Sequence, residues 1–78
     1  MNEPPCPPGR KPHHERVRDI EAMLPEGQTG GVVIDNTPEH REWYLAEIAK
    51  YPRLQVTGKG EIGPGVYVIK VLKLPNPN

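Results

Sequence analysis

The sequence predicts a small α/β domain, an α+β two-layer sandwich in the order α-β-α-β-β, with two helices on one face of a small mixed sheet. Three observations carry that expectation. In residues 30–52 the apolar run Val32-Val33-Ile34 leads into Asp35-Asn36-Thr37-Pro38-Glu39, a strand stop followed by a helix start. Thr37 takes the N-cap, Pro38 the first helical position and Glu39 the first turn. Residues 66–74 place apolar side chains at period two on both faces, which is a strand pattern, and residues 13–24 carry an apolar helical stripe.

The division of the chain follows from its prolines. Among 78 residues there are eleven prolines and eight glycines, and Pro4, Pro5, Pro7, Pro8 and Pro12 crowd the start while Pro75 and Pro77 close the chain. Residues 1–12 therefore read as an extended, polyproline-like, flexible arm, 13–74 as a single α/β domain and 75–78 as a tail. About sixty residues remain to fold, near the lower limit for unaided stability, which favours a partner or an oligomer.

Taken in order, the first helix covers residues 13–24, with Val17, Ile20 and Leu24 on one stripe and Arg16, Arg18, Asp19 and Glu21 on the solvated side; Pro25-Glu26-Gly27 stops it. The second helix runs from Glu39 until Pro52 ends the pattern. At about 100° per residue, Leu45, Ile48 and Ala49 form its core stripe, flanked by Tyr44 and Tyr51. Trp43 then falls on the opposite, polar side with Glu39, Glu47 and Lys50, where it reads as an interaction anchor or as a seat for the proline-rich arm. Residues 53–59 alternate as a half-buried strand, and Gly58, Gly60, Gly63, Pro64 and Gly65 suggest a flexible hairpin connection around Glu61-Ile62. In the closing strand Tyr67, Ile69 and Val71 share one face, and Val66, Val68, Leu72 and Leu74 share the other. Two helices cover one side only, so Val68 and Leu72 are left as a partner or homodimer surface. Ile34, Leu45, Ile48, Val56 and Ile69 are the expected core.

Charge and composition limit the function classes. Ten basic and ten acidic residues cancel, whereas a protein built on phosphate backbones shows a basic excess, so nucleic acid is not the expected partner. No apolar run reaches the roughly 20 residues of a membrane span. The start of the chain carries charge and proline where a signal peptide needs an apolar stretch, and the single cysteine makes a reducing cytoplasm the expected compartment. The absence of serine excludes a serine-based triad. Cys6, His13, His14 and His40 do not match the spacing of a structural zinc site, so neither a metal nor another cofactor is expected.

Cys6-Pro7 before the first helix, Pro25-Glu26-Gly27-Gln28-Thr29 before the first strand and Tyr67-Val68-Ile69-Lys70-Val71 at the close together resemble the small TusA-like sulfur-carrier proteins. That family orders its elements as strand, Cys-Pro-x-Pro motif, helix, strand, helix and two strands. Here Gly9 stands where the motif has its second proline, and residues 1–5 are too short and too proline-rich for the first strand. The resemblance implies a persulfide carried on Cys6. The residues themselves favour a different expectation, a small non-enzymatic protein-binding module that regulates or inhibits a larger machine, as phage-encoded modules do. Its binding residues would be Trp43, Glu47, Lys50, Val68 and Leu72.

Overall fold

Thr37 begins the second helix as its chemistry demands. In the computed structural model, which describes residues 2–76, its hydroxyl accepts the backbone N–H of His40 at 3.1 Å, and Pro38 occupies the first turn. Met1, Pro77 and Asn78, the outer ends of the expected arm and tail, lie outside the described residues. The elements are α1 (His13–Met23), β1 (Thr29–Asp35), α2 (Pro38–Ile48), β2 (Leu54–Gly63) and β3 (Val66–Lys73), the expected order.

The three strands form one sheet in the order β1-β3-β2, with β3 antiparallel to both neighbours. The expectation of a mixed sheet is corrected here. β1 and β2 run the same way, but β3 lies between them and supplies every ladder bond, so no parallel pair forms. β2 also continues through Gly58, Gly60 and Gly63, which glycine propensity assigns to a loop. Pairing with β3 holds them, and register shifts between Val56 and Gly58 and between Glu61 and Gly63 absorb the irregularity. The connection shrinks to Pro64-Gly65. Proline fixes φ at the first position, and Gly65 at φ 71° supplies the left-handed second position of a type II turn.

Both helices pack on the face of the sheet that carries Val32, Ile34, Leu54, Ile69 and Val71. Val17 from α1 and Trp43, Tyr44 and Ile48 from α2 complete the buried cluster; Leu45, Val56, Ile20, Leu24, Tyr51 and Tyr67 are partly buried against it. Lys73 also points into this layer. It is 5 % exposed, and its amine donates to the Glu21 carbonyl and lies 3.3 Å from Glu21 Oε1. α1 has no basic residue in its last turn, so β3 provides the cation that its C-terminal carbonyls favour.

The orientation of α2 departs from the expected one. Trp43 is 7 % exposed and Ala49 is exposed, so the buried stripe is His40, Trp43, Tyr44, Glu47, Ile48 and Tyr51, rotated toward the side expected to face solvent. The physical reason is that His40 and Glu47 are partly covered, with side chains 14 % and 13 % exposed, while each keeps a polar partner. A stripe drawn from hydrophobicity alone leaves them in water.

Candidate functional site

The N-terminal segment does not run as one extended arm. Pro7-Pro8-Gly9-Arg10 forms a turn closed by the Arg10 N–H to the Pro7 carbonyl at 3.3 Å. Gly9, at φ 83°, takes the left-handed position that only glycine adopts without strain, so the reversal follows from the Pro-Gly pair. The Cys6 thiol braces the reversal from inside: Sγ lies 3.1 Å from the Lys11 carbonyl and 3.4 Å from that of Arg10. These partners are acceptors, so the sulfur serves as a hydrogen-bond donor.

Two further ties dock the segment on α1. Glu3 accepts the His14 backbone N–H at 2.8 Å and approaches its imidazole at 3.0 Å. Burial pulls the Glu3 carboxyl upward, but the hydrogen bonds from the His14 ring and backbone outweigh it, and its pKa falls below the usual value. His13 Nε2 donates to the Pro5 carbonyl at 3.2 Å, which leaves Nδ1 to accept from the Tyr44 hydroxyl at 2.5 Å. That hydroxyl in turn accepts from Arg16 at 3.1 Å. Burial raises the Tyr44 pKa and the Arg16 guanidinium opposes the rise, so at neutral pH the phenol remains a donor. Arg16 also donates to the Val33 carbonyl of the edge strand β1 at 2.8 Å.

This chain of bonds forms one wall of a half-open cleft of about 680 Å³ between the Cys6–Arg10 turn, α1, β1 and His40 of α2. Cys6, Arg10, Lys11, His13 and Arg16 line it, with Asp35 as a carboxylate and the β1 edge at Val33 and Ile34, together with Val66, Pro5 and Pro7, as its apolar part. Among the described residues no group of three or more His, Cys, Asp or Glu side chains could hold a metal ion.

The opposite face of the sheet carries no helix. Antiparallel register places Val33 beside Val68 and Gln55 and Thr29 beside Leu72, with Lys70 between Gly31 and Gly58. Val33 is 49 % exposed, and Val66, Val68 and Leu72 are half-buried.

The side chains expected to bind a partner are therefore divided. Val68 and Leu72 share the open face, as expected from strand alternation. Glu47 and Lys50 pair with each other at 2.8 Å on α2, behind the sheet, and the Glu47 carboxylate raises the Lys50 pKa. Trp43 belongs to neither surface. Its ring lies 5.0 Å from Tyr44 and 6.0 Å from His13, inside the core. Sequence reasoning missed Val33, Arg16 and Arg10. Val33 had a signal, since alternation through Val32 and Ile34 sends it to the other face; for Arg10 the one signal was the Pro-Gly pair of its turn, and Arg16 had none. No helix among the described residues is long and apolar enough to cross a membrane. No family model matches the chain, and neither a curated protein nor a solved structure does.

Proposed function

We propose that this chain is a non-enzymatic protein-binding module that docks a partner on the helix-free face of its sheet. The observation that carries the reading is the apolar strip of Val33, Val68 and Leu72 on that face, with Val33 49 % exposed. Lys70 rises from the middle of the strip, flanked by glycines on both neighbouring strands, and forms no ion pair among the described residues. The fitting partner is a different protein that offers an apolar surface with a carboxylate opposite Lys70. A two-fold pairing centred on this face would set Lys70 against its own copy, which works against a homodimer. In this reading the module regulates or inhibits its larger partner in the reducing cytoplasm, where Cys6 stays a free thiol.

Sulfur carriage on Cys6 has less support. The contacts on Sγ are backbone carbonyls to which the thiol donates, and Gly9 stands where the sulfur-carrier motif has its second proline. The test uses a photo-crosslinking amino acid at position 72 in the full chain. It should capture one defined protein that a crosslinker at exposed Glu42 does not. Val68→Glu should abolish capture with the fold intact by circular dichroism, whereas Cys6→Ala should preserve it. Equal capture from both positions, or loss of capture with Cys6→Ala alone, would reject the proposal.

A further inference from the structure

Of the docking strip only Val33 borders the cleft beside β1, and the chemistry of the cleft differs from that of the sheet face. The chain as a whole is neutral, with ten basic and ten acidic residues. Locally, Arg10, Lys11 and Arg16 line the cleft against one carboxylate, Asp35. Lys11 is committed to Asp19, whose pKa it lowers through their hydrogen bond, and Asp35 lies 3.8 Å from His40 Nε2. Arg10 and Arg16 form no ion pair among the described residues.

Arg16 is also held in place before any ligand arrives. Two of its five N–H donors are engaged, one on the Tyr44 hydroxyl and one on the Val33 carbonyl, and Arg16 as a residue is half-buried. A fixed guanidinium loses little freedom when it takes up an oxyanion, and its planar fork suits carboxylate and phosphate oxygens. Arg10 approaches from the other wall on the Pro7–Arg10 turn. The edge of β1 at Val33 and Ile34, with Val66, Pro5 and Pro7, supplies the apolar part of the lining, and about 680 Å³ is within the range of small-ligand sites.

We propose that this cleft binds a small organic anion, an oxyanion group on an apolar body, with Arg16 and Arg10 as the donors to the oxyanion. Two probes separate the sources of that group: phenyl phosphate and benzoate, each titrated into the ¹⁵N-labelled full chain. At least one should move the amide signals of Cys6, Arg10, Val33 and Asp35 with a Kd below about 1 mM. Whichever binds more tightly identifies the oxyanion. Phenol, the same ring without the charge, should bind at least about tenfold more weakly. Arg10→Gln, at an exposed position, should weaken the better probe by about tenfold and leave distant signals unmoved. Val68→Glu should leave probe affinity unchanged, so this result and partner capture on the sheet face can fail separately. No saturation by about 10 mM of either probe, equal binding of phenol, or an Arg10→Gln variant with unchanged affinity would each overturn the assignment.

Discussion

Tyr44 ties α2 to the two α1 side chains that hold the N-terminal segment and the β1 edge. Its ring is fully buried, and its hydroxyl sits between Arg16 and His13, both on α1. Through His13 the bond reaches Pro5, and through Arg16 it reaches the β1 edge. Tyr44→Phe keeps nearly all of the packing but leaves an Arg16 N–H and His13 Nδ1 short of a partner in a buried setting. The expected cost is about 1–3 kcal/mol, read from urea midpoints at neutral pH. Little of this network was legible in the sequence. Angular spacing marked Tyr44 as a flank of the helix stripe, and periodicity contains no information on which α1 side chain meets a hydroxyl across the core. The Pro7-Pro8-Gly9-Arg10 turn was legible in principle, since a Pro-Gly pair is turn chemistry, but the surrounding prolines also fit an extended arm.

At the scale of elements, the parts with explicit chemical punctuation were legible and the parts decided by partners were not. Thr37-Pro38 and the apolar alternation of β3 gave α2 its start and β3 its two faces. The open-face positions of Val68 and Leu72 followed directly. The glycines of β2 were unreadable as strand because the ladder to β3 holds them, and the face of α2 was misassigned because His40 and Glu47 look like solvent residues. Yet His40, Trp43, Tyr44, Glu47, Ile48 and Tyr51 keep the i, i+3, i+4 spacing of a single stripe. The orientation is testable. Trp43→Ala should cost about 3–5 kcal/mol, and Leu45→Ala, at a partly buried position, should cost less. Native Trp43 emission should be blue-shifted, moving red only on unfolding. A larger loss at Leu45 than at Trp43 would restore the orientation expected from the sequence, with Leu45 in the core and Trp43 in solvent.

For the whole molecule, stability should have an acid limb to which Glu3 contributes beside surface Asp19, and an alkaline limb to which Tyr44 contributes beside surface Lys50. The folded state holds Glu3 below the usual carboxyl value of 4.5, so the unfolded chain takes up its proton first as pH falls. The stability Glu3 contributes is present above 4.5 and is lost below it, and Glu3→Gln should flatten that limb. Tyr44 behaves oppositely. Its folded pKa lies above 10.0, so its contribution is present below that pH and is lost as pH rises past it; Tyr44→Phe should flatten this limb. Urea midpoints measured across pH for the parent and both variants check the assignment, and an acid limb unchanged in Glu3→Gln would remove Glu3 from it. The strand order has a consequence of a different kind. β1 and β2 have no neighbour in the sheet except β3, the last strand of the domain in chain order. A nascent chain that has emerged only as far as β2 has no ladder to form, because β1 and β2 pair with nothing but β3. The sheet can form only once β3 is present, with β2 and β3 joined through their two-residue turn and loop closure from β1 across to β3 as the long-range contact that costs the most chain entropy. A ribosome stalled before β3 would hold a chain with its strand edges open.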